Sequence, residues 1–127
     1  MKGPLADEGV IEVPLEHAGD HVTPGLEEAG RPAITEFSVR VRQGPWALVD
    51  VTLVTGVLHQ VRAHLASVGA PIVGDTLYGG PEEPGLQRFF LHAASLKVRH
   101  PVTNEPLFVE SPLPDELARV LYQRLPP

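Results

Sequence analysis

From Ile34 the chain alternates apolar and polar residues in ITEFSVRV, so Phe37, Val39 and Val41 share one face and Glu36, Ser38 and Arg40 the other. After RQGP the run WALVDVTLV does the same, with Ala47, Val49, Val51 and Leu53 on one side. Two half-buried strands joined by a Gly-Pro turn predict an antiparallel hairpin. Near Leu58 the period lengthens. Leu58, Val61, Leu65 and Val68 recur at the spacing of one helical face, and Gly69 follows where a left-handed cap is easiest for glycine. The segment APIVGDTLYGGPEEPG reads as a long loop with room for a short strand at Ile72 and Val73. In RFFLHAASLKVRH the residues Phe90, Leu91, Ala93, Ala94 and Leu96 leave no polar side, which predicts a strand buried on both faces. EPLFVES reads as a further strand. PDELARVLYQRL predicts a closing helix with Pro114 and Asp115 at its start and Leu117, Val120, Leu121 and Leu125 as its apolar stripe.

Residues 1–32 have a different texture. Pro4, Pro14, Pro24 and Pro32 alternate with Gly3, Gly9, Gly19, Gly25 and Gly30, which forbids a long helix and leaves room for one extended piece, VIEVPLEH. This stretch is expected to be an ordered loop or an arm lying on the rest. The pattern as a whole predicts an α+β fold: a mainly antiparallel sheet of about four to five strands with two helices. There is no internal repeat and no low-complexity segment. Residues 1–32 form the arm and residues 33–127 the domain proper.

Composition narrows the function classes. At 127 residues and 43% hydrophobic the chain suits one domain with one core. No apolar run is long enough to span a membrane, and MKGPLADEGV lacks the layout of a signal peptide, so a cytoplasmic protein is expected. The absence of cysteine excludes a disulfide frame, a thiol nucleophile and thiolate metal sites. A formal net charge of -6 and a pI near 5.4 argue against holding nucleic acid through bulk positive charge. Any such contact has to be a local basic patch on an acidic body.

Candidate chemistry concentrates on one helix. His59 and His64 are separated by about 140° around a helical axis and cannot close on one ion. His17 and His21 have helical spacing, but Gly19 and the neighbouring prolines make a helix there improbable, so no metal is expected. VGDTLYGG lacks the Lys-Ser/Thr pair of a phosphate loop, and Ser38, Ser67, Ser95 and Ser111 lie in no sharp glycine-flanked elbow. Arg62 is the informative residue. It stands roughly 60° from His59 and borders the apolar stripe, where a guanidinium that cannot lose its proton needs an acid or several carbonyls. Either Arg62 lays its stem over the core and meets a structural carboxylate or a helix-end carbonyl, or it is an active-site cation facing a catalytic carboxylate or a phosphate. Tyr78 reads as a loop anchor and His92 as a satisfied core histidine.

The residues then show a resemblance. TGVLHQVRAHLASVGAPIVGDTLYGG, followed by LHAASLKVRHPVTNEPLFVESPLPDEL, resembles the second half of RluA-type RNA pseudouridine synthases, whose text runs close to T-G-R-x-H-Q-I-R-x-H-x-A-x-x-G-x-P-I-x-G-D-x-x-Y-G and then L-H-A-x-x-L-x-x-x-H-P. GRPAITEFSV matches the preceding strand of that family, and the resemblance covers nearly all of residues 30–120 in order. It implies uridine-to-pseudouridine isomerisation in ribosomal or transfer RNA: the base is detached from C1′, turned and rejoined through C5, with neither cofactor nor metal. In the family an aspartate does the covalent or base work, an aromatic ring stacks on the uracil, and the arginine of H-Q-I-R pairs with the aspartate. That arginine is Arg62 here.

Two departures matter. The family's R-L-D-x-x-T-S-G and K-x-Y-x-A segments are not in this sequence: Asp7, Asp20 and Asp50 stand in other contexts, and no tyrosine precedes Tyr78. Where the family has a basic residue after T-G, this chain has Val57. The resemblance therefore implies a C-terminal half, residues 33–127 being a partial synthase-like domain, inactive until an Asp-bearing N-terminal half joins it. Arg62 is expected to be the ion-pair partner of an Asp outside the chain, and His59, Gln60, Arg62 and Arg88 to face RNA. A non-catalytic RNA-binding or protein-interaction module that kept the fold is the alternative. A weaker one is an enzyme of other chemistry using Asp75 and a histidine. A sheet cut through its middle exposes an edge and an apolar face, so a homodimer or strand exchange is expected too.

Overall fold

The computed structural model describes residues 5–19, 21–25, 30–57, 59–83, 86, 88–93, 95–99, 102–103 and 106–124. In chain order its elements are β1 (Glu8–Ile11), β2 (Leu15–Ala18), β3 (His21–Pro24), β4 (Thr35–Gln43), β5 (Trp46–Leu53), α1 (Gln60–Ser67), a 3-10 turn at Thr76–Tyr78, β6 (Ser95–Arg99), β7 (Pro106–Glu110) and α2 (Asp115–Arg124). Among the described residues the fold is α+β, with antiparallel pairing and two α-helices as the patterning predicts, but the strands form three separate sheets of three, two and two strands instead of one sheet of about four to five.

The predicted hairpin is β4 and β5, with Phe37 opposite Val51 and Val39 opposite Val49. Gly44 at φ 59 makes the turn before Pro45. A register shift between Val39 and Val41 interrupts the alternation, so Phe37 is buried while Val41 is exposed. The arm is more structured than expected. It supplies three strands, β1 pairing along the outer side of β4 and β2 with β3 forming a separate hairpin. Its prolines and glycines stand mostly between or at the ends of these strands: Pro14 precedes β2, Gly19 at φ 70 turns it into β3, and Pro24 ends β3. Leu5, Ile11, Leu15 and Val22 are all buried, so the arm is part of the core.

The apolar face predicted for α1 is only half of what is buried. Val61 and Leu65 are in the core, Leu58 lies outside the described residues, and Val68 sits at the C-cap 42% exposed. The rest of the buried face is Gln60, Ala63 and His64, two of them polar. Gly69 takes the left-handed conformation as expected, with φ 79.

The long strand predicted from Phe89 onward is shorter. β6 begins at Ser95 and pairs with β7, while residues 88–93 run irregularly. There the Phe90 N–H goes to the carbonyl of Val73 (2.8 Å) and the Leu91 N–H to that of Phe89 (2.9 Å), so these amides serve a loop rather than a ladder. Phe89, Phe90 and Leu91 pack half-buried on a core of Ile11, Phe37, Val61, Leu65 and Ile72. Ala94 lies outside the described residues. α2 begins as predicted, the Ala118 N–H reaching the Pro114 carbonyl (2.9 Å), and buries Leu117 and Val120; Leu125 is outside the described residues. Among the described residues no helix is long and apolar enough to cross a membrane.

Candidate functional site

The loop after α1 is a close-fitted turn. Asp75 N–H bonds to the Ile72 carbonyl (3.0 Å), Gly80 N–H to the Asp75 carbonyl (2.8 Å) and Gly74 N–H to the Pro81 carbonyl (2.7 Å). A Cβ at position 80 would lie 1.9 Å from the Ile72 oxygen, so only glycine passes there. This turn fixes Asp75 at 1% exposure with its carboxylate facing α1.

Arg62 is 12% exposed and meets that carboxylate edge to edge: Nε donates to Oδ2 at 2.9 Å and Nη2 to Oδ1 at 2.8 Å. Its guanidinium carbon lies 4.2 Å from the centre of the Phe89 ring and 5.0 Å from that of Tyr78. The Asp75 hydrogen bonds raise the guanidinium above its ordinary pKa against the opposing effect of burial, and the charge of Asp75 and Tyr78 add to the rise. Arg62 is therefore a permanent cation. Its acid is inside the chain, which corrects the expectation that only an outside Asp would answer it.

The pairing leaves one edge unused. Among the described residues no hydrogen bond engages Nη1, and no buried side-chain nitrogen or oxygen lacks a partner, so Nη1 reaches the surface. A guanidinium offers five N–H groups, and a carboxylate bound through Nε and Nη2 occupies two of them. The remaining edge can take a second anion.

The other residues of the H-Q-x-R-x-H run hold α1 in place. Gln60 is 3% exposed, and its amide makes four bonds: Nε2 donates to the Ile34 carbonyl (2.8 Å) and to Thr35 Oγ1 (2.9 Å), and Oε1 accepts from Thr55 Oγ1 (2.8 Å) and the Val57 N–H (3.0 Å). Gln60, expected to face RNA, braces the hairpin against α1 instead. His64 is fully buried between Thr35 Oγ1 and the Val13 carbonyl, each 2.7 Å from a ring nitrogen. A carbonyl only accepts, so Nε2 carries the proton toward Val13 and Nδ1 accepts from Thr35, whose oxygen in turn accepts from Gln60. One relay thus joins hairpin, helix and arm.

His59 sits ahead of α1 with φ 51, the left-handed region that few non-glycine residues adopt. Its Nδ1 is 3.0 Å from the Tyr78 hydroxyl, which accepts the Val22 N–H of β3 (2.9 Å). Tyr78 is thus a loop anchor, as the pattern suggests, and also part of the cradle around Arg62. Arg88 is exposed, with Nη2 donating to the Leu91 carbonyl (2.7 Å), directly before the Phe89 that stacks near Arg62. His92 donates to the Ser111 carbonyl (2.8 Å) from the irregular segment. Asp75 and a histidine are not brought together as acid and base, because both carboxylate oxygens point at Arg62. Among the described residues no three His, Asp or Glu side chains gather as a metal site. Sequence reasoning missed Phe89, Thr35 and the pairing of Asp75. A single acid set among Ile72, Val73 and three glycines is the signal that could have flagged a buried charge in need of a cation.

No family model matches the sequence. The chain aligns at 34% identity over 94% of its length with ribosomal large subunit pseudouridine synthase D of Xanthomonas campestris pv. campestris, and at 36% over 94% with the protein of that name from Nitrosomonas europaea. With ribosomal large subunit pseudouridine synthase C of Escherichia coli O157:H7 it is 40% identical over 76% of its length. The chain belongs to the RluA-type RNA pseudouridine synthase family. It spans 40%, 37% and 33% of these relatives, consistent with a C-terminal portion of the RluA-type synthase. Two solved structures agree on the fold: human RNA pseudouridylate synthase domain containing 1 (TM-score 0.70, 25% identical, 89% of this chain and 51% of that one) and domain containing 4 (TM-score 0.74, 22% identical, 96% and 58%).

Proposed function

We propose that this chain is the cation-bearing share of an RNA uridine-to-pseudouridine isomerase, offering Arg62 to an aspartate carried on an Asp-bearing N-terminal half. The observation that supports this reading best is the divided guanidinium: Asp75 holds one edge, and the Nη1 edge stays at the surface. An incoming carboxylate bonded to that edge is oriented and kept ionised, the state needed to attack the sugar or act as base. Asp75 does not compete for this work, because its lone pairs already face Arg62. The target uridine has to leave the RNA stack to be reached. In a body of net charge -6, selection of RNA falls to a local surface formed by His59, the open edge of Arg62, and Arg88, with Gln60 as its internal support. The RNA is ribosomal or transfer RNA and the setting cytoplasmic. Neither cofactor nor metal enters the step.

Release of tritium from RNA carrying 5-tritiated uridine tests the proposal. The isolated chain gives none, and release begins when a polypeptide bearing the R-L-D-x-x-T-S-G segment is added. Turnover by the pure chain refutes the division of labour.

A second reading has its own support. Val57 stands where the family carries a basic residue, and Arg62 is already neutralised by Asp75, as suits a non-catalytic RNA-binding or protein-interaction module. For the isomerase reading and for the RNA-binding form of the second, RNA is a partner, and Arg62→Ala with unchanged RNA affinity and salt dependence removes it. A further proposed partner is a second copy of the chain, since β5 is an edge strand with no neighbour on its outer side among the described residues.

A further inference from the structure

The residue that opens α1 is an unusual choice for its place. A helix N-cap is most often serine, threonine, aspartate or asparagine, whose side chain accepts one of the first unbonded N–H groups. His59 stands there with φ 51 and ψ 27, and its side chain makes no cap hydrogen bond. Among the described residues it is the one non-glycine residue with positive φ. Glycine or asparagine takes this backbone conformation at lower cost. Local structure thus gives no reason for a histidine, and strain of this kind persists where the surroundings hold it.

What holds it is Tyr78. The two rings meet edge to face, 5.8 Å apart at 90°, and His59 Nδ1 lies 3.0 Å from the Tyr78 hydroxyl, which accepts the Val22 N–H of β3 at 2.9 Å. The Tyr78 ring in turn has the Arg62 guanidinium carbon 5.0 Å from its centre. That contact matters because of what the Asp75 pair leaves undetermined. Bonds through Nε and Nη2 fix one edge of the guanidinium, and its plane can still tip about the line joining those two atoms. Tipping moves Nη1. Rings beneath the cation oppose it, and among the described residues these are Phe89, at 4.2 Å, and Tyr78.

We propose that His59 is a positioning residue: through the Tyr78 hydroxyl it sets the ring on which Arg62 lies, and so aims the Nη1 edge at the incoming aspartate. This deepens the proposed function and rests on it, giving His59 a part in the reaction beyond its place in the RNA-facing surface. Nδ1 is the nitrogen through which it acts, so the side chain that replaces it is specified. The amide of asparagine falls where Nδ1 does and can donate or accept, whereas that of glutamine is one carbon further out, nearer the place of Nε2.

His59→Asn, His59→Gln and His59→Gly are compared in two measurements. In the isolated chain, hydrogen exchange of the Arg62 Nε–H, followed by NMR, reports how firmly the guanidinium is held. Exchange should be about tenfold faster in His59→Gln and His59→Gly and close to natural in His59→Asn, with all three folded by urea unfolding. In the reconstituted enzyme, tritium release should show kcat about tenfold lower at unchanged KM in the first two, and recovered in His59→Asn. Glycine suits φ 51, so in His59→Gly the arginine loosens without backbone strain being added; His59→Gln keeps the natural backbone cost and serves where the glycine variant folds poorly. Unchanged exchange in both, or an asparagine variant no better than glutamine, overturns the proposal. So does faster exchange with kcat intact. A higher KM with unaltered kcat makes His59 an RNA contact only, which also overturns it. If the natural chain releases no tritium with its second half, the proposed function falls, and exchange alone then decides whether His59 holds Arg62.

Discussion

Asp75→Asn changes one oxygen to nitrogen and should be among the costliest isosteric changes in the protein. Asp75 is 1% exposed and Arg62 12%, and two charge-assisted bonds of 2.8 and 2.9 Å join them. Asparagine keeps one acceptor, loses the charge and turns an N–H₂ toward guanidinium N–H groups that only donate. Removing one partner of a buried pair typically costs about 3–5 kcal/mol. The lower end applies here, about 3 kcal/mol, because Nη1 keeps its contact with water and Phe89 and Tyr78 still flank the cation. Arg62→Met leaves the inverse problem, a carboxylate with no cation in a turn that cannot move, and should cost about the same. In the double variant neither charge remains, and the methionine stem can pack on Phe89. It should cost about as much as one single variant rather than their sum, a coupling of about 2–3 kcal/mol. Against a total stability of roughly 5–15 kcal/mol each single change is easily resolved by urea unfolding with matched m-values. If Asp75→Asn stays within about 0.5 kcal/mol of the natural chain, or the two changes add, the pair does not hold the loop on α1 and the site has been misread.

His64→Leu breaks the bond to the Val13 carbonyl and strands the Thr35 hydroxyl, so it should lose about 2–3 kcal/mol and speed protease cutting within residues 5–25; an unchanged cleavage pattern would show that the arm is held otherwise. Gly80→Ala pushes a methyl into the Ile72 carbonyl and should cost more than 2 kcal/mol in thermal unfolding, whereas Gly44→Ala, with open space around it and φ 59, should cost about 1 kcal/mol. Arg88→Ala, at an exposed position, should leave unfolding unchanged and reduce the slope of log affinity for RNA against log salt by about one; an unaltered slope removes Arg88 from the interface.

What the sequence made legible follows from the range of the interactions. The β4–β5 hairpin and α2 are specified by local alternation, period and caps, and both were readable. The bulge that exposes Val41 is a register property of two strands and has no trace in the alternation of either one. The arm holds three short strands where its pattern leaves room for one extended piece, because its prolines and glycines stand mostly between those strands, and breaker density alone does not separate strand ends from a loop. Phe90 and Leu91 carried the pattern of a strand apolar on both faces, yet their amides bond to Val73 and Phe89 within loops. At the site, Arg62 was found by its awkward place beside an apolar stripe, but its acid thirteen residues on was not, because the turn that brings Asp75 back depends on glycines at 74, 79 and 80 acting together.

That same turn changes what a missing aspartate means for this chain. A buried guanidinium awaiting its only acid would be a standing penalty of several kcal/mol, and a chain holding it would fold poorly without its partner. With Asp75 on one edge the cation is compensated beforehand, so α1 and its loop can hold their geometry in the absence of any second carboxylate. An aspartate arriving at the Nη1 edge then adds a bond to a cation already in place, and need not supply the energy to order it. Under the proposed function, folding and catalysis therefore depend on different acids. Asp75 is the one whose loss should appear in unfolding of this chain alone, while the outside aspartate should appear only in turnover. The test of that separation is Asp75→Asn in the reconstituted enzyme: it should lower the urea midpoint of this chain and, at temperatures where the chain stays folded, leave most of the tritium release in place. Loss of release from the folded variant would mean that one acid serves both purposes.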